Sequence, residues 1–135
     1  CCMIDQIAVS PTVHIVAGSL ALVSNLLLLI VAGRLALKRL PFPPLAQGLL
    51  VFFTLTLLVQ ALIGIKLLDQ GLGVLQLFIH YMGGLAPLAF IIVLSWLPDR
   101  GPVARSRRVA GLAALSAFFV VLTFGVGSMY VPGGV

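Results

Sequence analysis

Glutamate is absent from this 135-residue chain and aspartate occurs only three times, at Asp5, Asp69 and Asp99. Paired-carboxylate chemistry therefore has almost no side chains to work with. All three aspartates fall at or beyond the ends of apolar runs. A proton-coupled transporter keeps a carboxylate in mid-membrane, so the transporter class is the weakest of those weighed below. Charge of either sign is scarce, at 8% of residues against 61% hydrophobic. A water-soluble domain carries about 25% charged residues, so this chain lacks the polar surface needed to face water. Cysteine occurs twice, as the adjacent pair Cys1-Cys2, too close to form an ordinary structural clip. That pair reads as a lipidated end left by processing or as a remnant, with Met3 as the alternative native start. No Cys/His cluster has zinc-ligand spacing, and no phosphate-cradling Gly-Lys motif, Ser/His/Asp arrangement or metalloprotease motif is present.

What remains is an integral membrane protein, with the lipid bilayer as its first partner. The apolar runs predict a single all-α unit over 1–135, with four transmembrane helices at about 12–35, 45–68, 74–97 and 109–131. Ser10-Pro11 opens the first, and Leu40-Pro-Phe-Pro-Pro44 breaks the chain between the first and second. Asp69-Gln-Gly-Leu-Gly73 turns it between the second and third. Pro87 predicts a kink in the third, because it removes the hydrogen bond to the carbonyl of Gly83.

The net charge of +5 raises nucleic acid as a partner, but the positions of the charges exclude it. Arg34, Lys38 and Arg39 follow the first run, and Arg100, Arg105, Arg107 and Arg108 lie between the third and fourth. Lys66, near Asp69, is the one basic residue on the other side. Seven against one is the positive-inside pattern. It predicts an up-down bundle in the cell's inner (plasma) membrane, with both termini on the outer, periplasmic side.

Histidine occurs only twice, each time followed by glycine four residues on: His14-Ile-Val-Ala-Gly18 and His80-Tyr-Met-Gly-Gly84. An ionisable side chain in lipid is a functional hypothesis by default. Aligning the histidines at an offset of 66 also pairs Leu22 with Leu88. An offset of 63 pairs Gly48 with Gly111 and Gly64 with Gly127. The chain thus reads as two repeated hairpins of the same orientation, with His14 and His80 related across an axis along the membrane normal.

A neutral imidazole is an axial ligand for haem iron, and a four-helix bundle can hold the cofactor between facing helices. The residues predict one bis-His haem b in the outer leaflet. Its iron would be held by His14 and His80, with Gly18 and Gly84 leaving room for the porphyrin. Lys66 is the main candidate to hold the propionates, with Tyr130, Tyr81 and Gln76 as lesser ones; Gln76, one turn before His80, could instead orient the imidazole. Met82 and Met129 are alternative axial ligands, and a chlorophyll-type pigment is an alternative tetrapyrrole. Other readings stay open at this point. His14 sits where an interfacial histidine can reach headgroups, His80 can bond across helices, and the glycines can serve close helix packing. The mid-span polar residues, among them Ser24, Asn25, Thr56, Gln60, Ser116 and Thr123, can bond between helices or line a small quinone pocket.

Gln60-Ala-Leu-Ile-Gly64, followed by Leu77-Phe-Ile-His80 and a long apolar helix, resembles half of a haem A synthase. It also resembles the small cytochrome b561-like membrane proteins. The resemblance implies a four-helix haem bundle with His14 and His80 as ligands. The acidic residue beside a ligand histidine that marks the synthases is missing, and histidines stand at one membrane face only. The resulting expectation is a one-haem membrane cytochrome, more an electron-transfer subunit than a stand-alone enzyme. It would pass electrons between the quinone pool and an outer-side redox partner within a larger complex. The alternative is a haem-free accessory subunit of a respiratory or photosynthetic complex.

Overall fold

The computed structural model describes residues 8–71, 77–98 and 100–128, without the side chains of Leu77 and Ser128. Four helices follow one another: α1 (Pro11–Leu37), α2 (Pro44–Asp69), α3 (Leu77–Trp96) and α4 (Ala104–Ser128). No strand occurs among the described residues. Each helix is long and apolar enough to cross a membrane. Their outward faces carry exposed Ile15, Val16, Val23 and Ile30 on α1 and Phe118 and Val121 on α4. Such faces are stable against acyl chains rather than water.

Local chemistry sets the helix ends. Ser10 caps α1 by accepting a hydrogen bond from the Thr12 N–H at 3.2 Å, and Pro11 occupies the first turn, where no donor is needed. At the other end Arg39 adopts a left-handed conformation (φ 54°), and the Leu40 N–H reaches back to the Leu35 carbonyl at 2.9 Å. Gly71 (φ 76°) turns the chain out of α2. The last helix begins well before its expected start at 109, because Ala104 to Arg108 are helical although they lie in the basic segment. Helix α3 runs on through Pro87, whose ring is fully buried.

In cross-section the helices form a ring in chain order. Helix α1 packs on both α2 and α4, and α3 packs on α4. The α2–α3 seam is the loosest of the four, and α1 and α3 stand diagonally across the bundle. The core joins Ala21, Leu28 and Ala32 of α1 to Phe53 and Leu57 of α2 and to Val109, Ala113 and Val120 of α4. Buried polar side chains tie the closer seams. Ser24 and Thr56 hydroxyls meet at 3.2 Å between α1 and α2. The Asn25 amide lies between the Ala113 carbonyl (3.2 Å) and the Ala117 N–H (2.9 Å) of α4, bonding both when its nitrogen faces the carbonyl. Ser106 donates to the Leu40 carbonyl at 2.7 Å, fastening the start of α4 to the α1–α2 connection. In lipid there is no hydrophobic difference between one apolar helix face and another, so such contacts and close packing select the arrangement.

Candidate functional site: two imidazoles facing across an apolar cavity

His14 is the fourth residue of α1 and His80 the fourth of α3. The two rings come together between these diagonal helices. Their centroids are 5.8 Å apart, with the planes inclined at 51°. Both rings border a cavity of about 320 Å³ to which all four helices contribute. The lining is apolar apart from the two histidines, Gln60, Tyr81 and Thr123.

Each ring is seated on a glycine of the helix that follows its own. A Cβ on Gly64 of α2 would stand 3.2 Å from Cε1 of His14, and one on Gly127 of α4 would stand 3.2 Å from Cε1 of His80. Gly64 and Gly127 are 63 residues apart, the offset read between the second helices of the two hairpins. The same offset relates three further pairs in the lining: Leu57 with Val120, Gln60 with Thr123, and Ala61 with Phe124.

Polar groups in the cavity are short of partners. The Gln60 amide nitrogen lies 3.1 Å from Nε2 of His14. Since an amide nitrogen only donates, the His14 ring carries its own proton on Nδ1 in this arrangement. Buried Nδ1 of His14, Oε1 of Gln60, Nδ1 of His80 and Oγ1 of Thr123 have no hydrogen-bond partner among the described residues. Buried polar atoms are normally satisfied, so four such atoms around one cavity are unusual.

The expected site residues distribute unevenly. His14, His80, Gly18 and Gly84 all line the cavity. Gly84 faces open space, whereas the room left by Gly18 is taken by Gln60, whose Nε2 would be 3.0 Å from an added Cβ. Lys66 is absent from the lining and pairs with Asp69, Nζ to Oδ2 2.6 Å. Met82 is half exposed and does not line the cavity. Gln76, Met129 and Tyr130 lie outside the described residues. The sequence reading gave Gln60 and Thr123 only as interhelical bonds or the lining of a quinone pocket, and did not single out Gly64 or Gly127 as site residues. Their signal was present: one offset relates Gln60 to Thr123 and Gly64 to Gly127, and Gln60 precedes Gly64 by one helical turn. Among the described residues no cluster of three or more His, Cys, Asp or Glu side chains is present to hold a bare metal ion. Comparison with protein-family models, curated proteins and solved structures finds no match.

Proposed function

We propose that this chain is a membrane cytochrome that holds one b-type haem in this cavity, with its iron between His14 and His80. The observation that carries the reading is the ring separation of 5.8 Å across an apolar cavity. With metal–nitrogen bonds of about 2 Å, two imidazoles holding one metal between them would have centroids roughly 6 Å apart. The donor count points the same way. Two imidazoles are too few for a bare zinc or copper ion, which takes three or four protein ligands. A metal that brings four equatorial nitrogens of its own needs only the two axial ones. The glycine seats at 64 and 127 fix the rings, and a metal held at the orphaned Nδ1 atoms would need the His14 proton on Nε2, with the Gln60 amide turned so that its oxygen accepts it.

A haem held by His14 and His80 would supply one-electron transfer. The residues do the rest. Gly64 and Gly127 admit the rings to the bundle centre, Gln60 restrains His14, and the apolar walls exclude water. The positions of the basic residues support an orientation with the histidine end outward and two like-oriented hairpins. Electrons would then pass between the quinone pool and a redox partner on that outer side, as the resemblance to half of a haem A synthase and to b561-like proteins also implies.

The test is to purify the chain from membranes and extract its pigments for mass spectrometry. A Soret band, with haem b in the extract, is expected. His14→Ala and His80→Ala should each abolish or strongly shift it. Protein free of any tetrapyrrole after expression with ample haem would overturn the reading and leave the histidines as interhelical packing groups in an accessory subunit. A magnesium tetrapyrrole in its place would retain the site and replace the cofactor.

A further inference from the structure

A second cavity of about 330 Å³ lies at the basic end of the bundle, along the loose α2–α3 seam. Side-chain size explains the opening. On the tight α1–α4 seam the buried positions include Ser24, Asn25 and Ala32 on α1 and Ala113 and Ser116 on α4. At the corresponding offsets Ile91 of α3 and Leu50 of α2 line the opening on the loose seam. Small residues let helices approach closely, and large ones hold them apart.

The walls are graded in polarity. Leu50, Val51, Leu55, Ile91 and Leu94 form an apolar slot. Two hydroxyls also line it, but Thr54 donates to the Leu50 carbonyl of its own helix (2.8 Å), and Ser95 to that of Ile92 (2.7 Å). Neither proton is offered to the slot. At the mouth stand Arg105 and Arg108, one helical turn apart on α4. Arg105 donates to Oε1 of Gln47 at 2.6 Å, and Arg108 to the carbonyls of Leu97 and Pro98. Both guanidinium groups are therefore held in place. Residues 98–108 carry four arginines against one aspartate, so the mouth is net positive.

We propose that this cleft is a binding site for an anionic phospholipid of the leaflet that meets the basic end. Its phosphate would lie at Arg105 and Arg108 and an acyl chain in the slot between α2 and α3. Charge complementarity selects the headgroup, since guanidinium groups match phosphate oxygens in pairs. The slot selects a chain over a quinone, because a quinone carbonyl is an acceptor and the slot hydroxyls donate to their own backbones. The site is separate from the histidine cavity and does not depend on haem.

The experiment exchanges the purified protein into phosphatidylglycerol or phosphatidylcholine, then measures lipid retained through detergent washing by native mass spectrometry. Wild type should keep one phosphatidylglycerol per chain and release phosphatidylcholine. Arg105→Gln/Arg108→Gln should weaken retention roughly thirtyfold, from about 1 kcal/mol per basic residue near the surface. Ser95→Phe, which fills the slot with both arginines intact, should also lower it, while helix content by circular dichroism is unchanged in both variants. Equal retention of the two lipids by wild type overturns the proposal, and this comparison decides alone if a variant does not fold. So does unchanged retention in both variants, or a quinone held in the phospholipid's place.

Discussion

The glycine seats beneath the histidines give a comparison in which each variant controls the others. Replacing a helical glycine by alanine in an open position adds about 1 kcal/mol of helix stability. Gly84→Ala should show that gain, because nothing lies within 4 Å of the new methyl group. Gly64→Ala and Gly127→Ala receive the same propensity gain but place a carbon 3.2 Å from Cε1 of His14 or His80. Ordinary carbon contacts are about 3.5–4.0 Å, so each ring must retreat by a few tenths of an ångström. His14 is held on its far side by Gln60 at 3.1 Å, and the facing ring of His80 is 5.8 Å away between centroids. Overpacking costs about 1–3 kcal/mol, which cancels or outweighs the propensity gain. In thermal unfolding followed by circular dichroism in one detergent, both seat variants should melt below Gly84→Ala by an amount equivalent to 1–3 kcal/mol. If all three melt together, the rings are free to move and the glycines do not seat them. In pigment-bearing protein the seat variants should also shift the Soret band. Loss confined to Gly84→Ala would mean that the open space beside Gly84, rather than the seats, determines binding.

Three further outcomes are expected. Asn25→Leu keeps the branched shape and the number of side-chain heavy atoms and removes the clasp to Ala113 and Ala117, so unfolding in detergent should show a loss of about 0.6–1.7 kcal/mol, the range found for interhelical bonds in a membrane; a gain would show that the buried amide is only a burden. Gln60→Leu removes the restraint on His14 and should weaken haem retention about 10- to 100-fold, as changes behind a ligand do, measured by competition with a haem acceptor; unchanged retention would show that the amide does not restrain the ligand. Lys66→Gln breaks a pair whose Asp69 partner is well exposed, so stability of the pigment-free protein should change by less than about 0.5 kcal/mol. Release of pigment by that variant would show that Lys66 leaves Asp69 to hold a propionate.

Hydropathy located the described spans because length and apolarity are what a bilayer demands. The expected 12–35 and 45–68 became Pro11–Leu37 and Pro44–Asp69. The start of α4 was missed by five residues for a physical reason: hydropathy registers the stretch matched to lipid, whereas a helix continues wherever its backbone can bond. Arg105, Arg107 and Arg108 belong to that protruding turn. The histidine pair was legible because its residue type is rare here and its context is repeated. Its supports were not. Gly64 and Gly127 look like the other glycines of the chain, and only the assignment of helix faces separates them from Gly48 and Gly111, which have nothing within 4 Å. Lys66 seemed destined for the cavity because it was the one basic residue at that end, yet Asp69, three residues on, meets it first.

A chain this uniformly apolar still specifies one arrangement, and volume is the means. Where lipid and protein are equally oily, burying one more leucine discriminates little between faces, and helices settle where their backbones approach most closely. Ala21, Ser24, Asn25 and Ala32 make such a face on α1, and Ala113 and Ser116 meet it from α4. Across the bundle Ile91 and Leu50 stand at corresponding positions and line the opening, so the fourth seam does not close in the same way. At the histidine end volume is withdrawn again, at Gly64, Gly127 and Gly84, and the space appears at the centre of the bundle instead. The two cavities therefore differ in kind. One is bounded by all four helices and carries orphaned nitrogen atoms, which suits a group held permanently. The other lies along a single seam under fixed arginines, which suits a molecule arriving sideways from the bilayer.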